Sequence, residues 1–99
     1  MAYKVIISNE VVKNLDAIIF YLEQNWSKAI AEKFLISFYK SVDSISKNPK
    51  LSKKSSKHSS IRKILITKHN ILYYEVHNER IELLQIFDTR QNPVKNKFE

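Results

Sequence analysis

Apolar residues recur at three- and four-residue steps through Val11, Leu15, Ile18, Ile19 and Leu22, and again through Ile30, Ala31, Phe34, Leu35, Phe38, Val42 and Ile45. That period puts each set on one stripe of an α-helix, with Lys13, Asp16, Glu23 and Gln24 largely on the far side of the first. Ser8 or Asn9 before the first set, and Ser27 before the second, can accept a hydrogen bond from the unpaired N–H groups of a first helical turn. The first helix should end near Asn25. Asn48-Pro49 ends the second, because proline pushes the residue before it out of the helical region. A break of about two residues forces the helices back on one another as an antiparallel hairpin. Trp26 is expected to pack across that break.

The period changes on both sides of this hairpin. Tyr3 to Ile7 reads as a short β-branched strand. Lys50 to Ser60 is polar, rich in lysine and serine, and without apolar periodicity, so it reads as an exposed loop. Three strands follow, "IRKILIT" (Ile61 to Thr67), "ILYYEV" (Ile71 to Val76) and "RIELLQIFD" (Arg80 to Asp88). The separators "KHN" and "HNE" have hairpin lengths, which predicts an antiparallel meander. The fold class is therefore α+β: an N-terminal strand and a helical hairpin packed on an antiparallel sheet, in the order β-α-α-β-β-β. A chain of 99 residues buries about 60–65% of its unfolded surface, enough for one core, so a single domain is expected, with residues 94–99 as a flexible tail. Leu72, Tyr73 and Tyr74 are consecutive, so the strands are apolar on both faces, whereas a helical hairpin covers only one. The other face calls for the tail, a partner chain or a second copy.

Cysteine is absent, which removes disulfides, thiolate metal sites and cysteine nucleophiles together. His58, His69 and His77 lack the paired spacing of a zinc site, and no cofactor motif is present, so neither metal nor cofactor is expected. The opening "MAYKVIIS" is too short an apolar run for a secretory signal, and no segment approaches the ~20 apolar residues of a membrane span. A cytoplasmic protein without membrane contact is the expectation. The net charge of +7 is concentrated: between Asp43 and Glu75 there is no acidic residue, while Lys47, Lys50, Lys53, Lys54, Lys57, Arg62, Lys63 and Lys68 fall there. Such a segment favours an acidic protein or a nucleic acid through long-range attraction, or serves only as a solvated loop.

"LLQIFDTRQNP", Leu83 to Pro93, changes from strand-like to polar at Asp88, which raises the question of why a strand should end at Arg90. Taken with "NWS" between the helices, "NP" closing the second and "IRKILITKHNILYYEV" as a hairpin, this ending resembles the RelE/ParE superfamily of bacterial toxins. The likeness runs from Tyr3 to Pro93 and follows the ParE-like branch described as plasmid stabilisation proteins. It implies the toxin of a type II toxin–antitoxin system, neutralised by an acidic antitoxin that wraps an extended segment around it, as a homodimer or a toxin–antitoxin hetero-oligomer. ParE-like members poison DNA gyrase. RelE-like members cleave mRNA on the ribosome, and a decayed toxin acting as a binding module is a third reading.

Metal-free RNA cleavage needs a group to activate the 2′-hydroxyl, cations for the phosphate and an acid for the leaving oxygen. The resemblance makes Arg62 and Arg90 the phosphate-binding candidates, with His69 as the remaining proton-transfer candidate. Where the nucleases carry a tyrosine or histidine after the last strand, this chain has Gln91, Asn92 and Pro93, with only Phe98 as a later aromatic. Tyr73 and Tyr74 lie inside a predicted strand and are expected to pack. Lys53, Lys54 and Lys57, with Arg62, Lys63 and Arg90, are candidates for binding the target or a nucleic acid. An ordinary lysine, with a pKa of about 10.4, is a poor base at neutral pH. The balance therefore favours a gyrase inhibitor over a nuclease.

Overall fold

The computed structural model describes residues 2–99. Its elements are β1 (Lys4–Ile7), α1 (Asn9–Asn25), α2 (Lys28–Lys47), β2 (Lys53–Lys54), β3 (Ile61–Thr67), β4 (Asn70–Val76), β5 (Arg80–Asp88) and a single 3₁₀ turn at Pro93–Lys95. Ser8 caps α1 by accepting from the Val11 N–H at 3.2 Å, and Ser27 caps α2 by accepting from the Ile30 N–H at 3.2 Å. Asn48, ahead of Pro49, is the C-cap of α2. Trp26 does not pack across the break: its backbone caps α1 by donating to the Leu22 carbonyl, and its indole stands 70% exposed.

The sheet has five strands in the order β1-β5-β4-β3-β2. It is mixed rather than wholly antiparallel, because β1 runs parallel to β5 with Lys4 opposite Arg80 and Ile7 opposite Leu83. A strand followed by a helical hairpin has no tight turn to dictate its neighbour, so tertiary packing chooses it. β2 is a two-residue ladder inside the segment expected as a loop, with Lys54 opposite Arg62. Both edge strands are thus short, and β2 presents lysines, which discourages edge-to-edge association. Irregularities in register fall between Leu65 and Thr67 and between Tyr73 and Tyr74.

The helical hairpin covers one face. Val11, Phe34, Phe38 and Ile45 pack there against Leu72, Tyr74, Ile81, Leu83 and Ile86. Two polar links fix the layers: the Asn14 amide oxygen accepts from the Ile86 N–H at 2.9 Å, and the Ser41 hydroxyl donates to the Leu65 carbonyl at 3.3 Å. The far face has its own small core of Ile61, Tyr73, Phe87 and Phe98. Residues 94–99 are therefore docked on the sheet rather than free, which corrects the expectation of a flexible tail and identifies what covers the second face. Phe98 packs on Tyr73 at 4.8 Å between ring centroids, and the Glu99 carboxylate meets the Lys63 ammonium, the Ser56 hydroxyl and the Tyr73 hydroxyl.

This docking carries a pH dependence. Burial works against the Glu99 charge, but the hydrogen bonds from Lys63, Ser56 and Tyr73 outweigh it and bring the pKa from 4.5 down to about 2. A depressed acid stabilises the docked tail fully above its free pKa, and that contribution is lost as pH falls from about 4.5 to about 2. Amide exchange of Phe98 and the Tyr73 ring resonances should report tail release in that window. In a Glu99→Gln protein the acid-dependent step should vanish; an unchanged step would assign it to another group.

Candidate functional site

A cleft of about 660 Å³ lies between the helical hairpin and the end of the sheet that carries the β3–β4 turn. Ile18, Leu22, Phe34 and Ile86 line its apolar part, and the exposed Tyr21 and Trp26 stand at its surface. Ile18 and Leu22 belong to the buried stripe of α1, so the cleft is the unfilled end of the same apolar seam that makes the core. His69 and Arg90 sit at the opposite border. The His69 carbonyl accepts from the Thr89 N–H at 2.8 Å, which holds the β3–β4 turn beside the end of β5.

The strand ends at Asp88 because that side chain turns the chain. Its carboxylate accepts from the Arg90 backbone N–H at 2.9 Å while its carbonyl accepts from the Gln91 N–H at 3.0 Å, a side-chain-supported turn. The same carboxylate takes the Arg90 guanidinium in a two-pronged pair, Nε at 3.0 Å and NH2 at 2.8 Å. The hydrogen bond from Arg90 holds the Asp88 carboxyl below its usual range despite partial burial. Arg90 is thus half-neutralised and oriented by its own turn.

Arg62 lies elsewhere. On β3 it is opposite Tyr74, whereas the turn beside Arg90 begins after Thr67. Five residues of strand separate the two positions by roughly 16 Å. Arg62 borders a second concavity of about 630 Å³ with Lys50, Lys54, Ser60, His77 and Arg80. Its guanidinium donates to the Lys50 carbonyl at 3.0 Å and the Ser52 carbonyl at 2.7 Å, tying the basic loop to the sheet.

The structure therefore brings His69 and Arg90 together and leaves Arg62 apart from both. It also divides the basic candidates. Register places Lys54 and Arg62 on the helix side of the sheet, and Lys53 and Lys63 on the tail side, where Lys63 is engaged by Glu99. Lys57 stays exposed in the loop. Tyr73 and Tyr74 are fully buried, as expected for packing residues. Burial pushes the Tyr73 hydroxyl up to about 12 and raises that of Tyr74, which donates to the Pro49 carbonyl at 2.7 Å. Neither phenol serves as a base near neutral pH.

One cluster escaped the sequence reading. Glu75, His77 and Glu82 bring their ligand-type atoms within 4.8 Å of one another on the tail side of the sheet, the one such group among the described residues. The i, i+2 spacing of Glu75 and His77 was a visible signal, since such residues share a face of a strand. Glu82 joins them only through its register opposite Glu75.

Residues 5–93 match the family model described as ParE toxin of type II toxin-antitoxin system, parDE. No curated protein sequence matches the chain. Among solved structures, the fold is similar to the chromosomal ParDE TA system from P. aeruginosa, with a TM-score of 0.78 at 14% identity over 90% of this chain and 98% of that one. It is also similar to the YoeB dimer from Staphylococcus aureus, with a TM-score of 0.62 at 16% identity over 88% and 97% of the two chains. The isolated E. coli RelE toxin gives a TM-score of 0.62 at 15% identity over 94% and 90%. At such identities the structures speak for the shared fold alone, and the family model, covering most of the chain, supplies the assignment. The chain belongs to the ParE toxin family of type II toxin–antitoxin systems.

Proposed function

We propose that this ParE-family toxin inhibits DNA gyrase, and that its cognate antitoxin neutralises it by laying an acidic, partly apolar segment into the cleft between the helical hairpin and the β3–β4 turn. The observation that carries the gyrase reading is the separation of the nuclease candidates. A scissile phosphate needs its cations and its proton-transfer group within a few ångströms of one another. His69 and Arg90 do come together, but Arg62 lies at the opposite end of the sheet, Arg90 is paired with Asp88, and both strand tyrosines are buried with raised pKa values. For the antitoxin reading, the support is an open apolar cleft with the exposed Trp26 and Tyr21 at its surface, on a chain of net charge +7. The complexes among the similar structures include a heterotetrameric YoeB–YefM toxin–antitoxin assembly from Staphylococcus aureus. Among the described residues no helix is long and apolar enough to cross a membrane, in keeping with a target in the cytoplasm.

Induced expression in bacteria tests the target. Gyrase-linked DNA breaks with intact messages are the expected outcome, whereas codon-phased message cleavage without DNA damage identifies a ribosome-dependent nuclease. Absence of any growth effect identifies a decayed toxin. Arg62→Ala separates the readings further. With its two carbonyl partners lost, the protein should be destabilised by about 1–3 kcal/mol in chemical denaturation. That cost holds for either target, so the separating result is message cleavage, whose loss in folded Arg62→Ala protein identifies a nuclease.

A further inference from the structure

We propose that Glu75, His77 and Glu82 form a binding site for Zn²⁺, at the end of the β4–β5 hairpin and independent of the cleft. His77 Nε2 lies 3.4 Å from Glu75 Oε1 and 3.4 Å from Glu82 Oε1. Those distances are long for hydrogen bonds. These two edges match a tetrahedron, in which two ligand atoms about 2.0–2.1 Å from a zinc ion are separated by roughly 3.3 Å; the third, between the carboxylates, is held within 4.8 Å and closes as zinc binds. Nε2 is shielded from solvent and has no hydrogen-bond partner among the described residues, so a polar atom aimed between two carboxylates stands unsatisfied.

The surroundings are built to the same end. Glu75 and Glu82 are direct cross-strand partners, an arrangement of like charges that destabilises a sheet unless a cation joins it. Glu75 divides its oxygens: Oε2 accepts from the Ser60 hydroxyl at 3.1 Å, which leaves Oε1 turned towards His77. An outer partner of this kind orients a ligating carboxylate. The His77 backbone N–H donates to the Arg80 carbonyl at 2.9 Å, fixing the turn from which the imidazole projects. One imidazole with two carboxylates suits a borderline cation such as zinc better than magnesium or calcium, which favour all-oxygen shells. The three side chains are 31–41% exposed, which leaves a fourth position for solvent and a path of entry.

The test uses the full chain, stripped with a chelator and titrated with Zn²⁺ by calorimetry, with Co²⁺ as the spectroscopic substitute. One saturable site is expected, with a visible Co²⁺ band of tetrahedral intensity. Thermal unfolding should rise by about 10 °C or more at a hundredfold excess of zinc over Kd. His77→Ala and the conservative Glu82→Gln should each weaken zinc binding by more than the roughly 10- to 100-fold typical of losing an outer partner, and Ser60→Ala should fall within that range. His69→Ala and His58→Ala should bind as the parent does. Absence of a saturable site overturns the proposal, as does zinc affinity unchanged in both His77→Ala and Glu82→Gln. If Glu75→Gln lowers stability equally with and without zinc, the cluster is a set of side-chain contacts that takes no metal, and the proposal falls.

Discussion

Phe38→Ala is expected to destabilise the protein by about 3–5 kcal/mol, in line with truncation of a fully buried phenylalanine. Phe38 is 0% exposed and joins α2 to the principal core around Leu72, Tyr74 and Leu83. Removing its ring forfeits both transfer energy and packing contacts, and the sheet face cannot collapse into the space because β4 and β5 are fixed by their ladder. Small domains hold a net stability of about 5–15 kcal/mol, so this one change consumes a large part of it. Phe20→Ala is the matched control: that ring is 65% exposed on α1, and its loss should change stability by no more than about 0.5 kcal/mol. Urea midpoints at constant m-value measure both. Equal effects would mean that the helices are rotated relative to the stripe that their periodicity defines.

Trp26→Ala is expected to weaken antitoxin binding by about 30- to 1,000-fold, the range of an aromatic anchor worth about 2–4 kcal/mol. The indole is 70% exposed and borders the apolar cleft, so the free toxin gains nothing measurable from its burial. Stability should accordingly stay within about 0.5 kcal/mol of the parent. This combination distinguishes a docking residue from a structural one. Calorimetry with the purified cognate antitoxin reads the affinity, and denaturation reads the fold. If Trp26→Ala and Ile30→Ala both bind as the parent does, the antitoxin lies elsewhere, and the exposed ring needs another explanation.

The arginines were legible further than their separate positions suggested. Arg62 opens β3 and Arg90 follows β5, and in an antiparallel meander those two points fall at opposite ends of the sheet. Their separation therefore follows from the topology that the hairpin-length separators already predict. The tail is a different case. Its composition in "VKNKFE" reads as solvated, but Phe98 finds Tyr73 and Glu99 finds Lys63, contacts that span 25 and 36 residues of chain. The consecutive apolar residues of β4 did announce that some cover was required.

Local physics was enough for the elements themselves. Serine caps, three-and-four periodicity, Asn48-Pro49 and hairpin-length separators act over a few residues, so the two helices and the three long strands lie where their residues place them. The family likeness rests on the same local order. What only the tertiary structure decided was everything that depends on long-range register: β1 parallel to β5, the two-residue β2, the docked tail, and the meeting of Glu75 and His77 with Glu82. A strand's period of two tells which residues share a face, but the choice among neighbouring strands is made by packing that no single segment encodes.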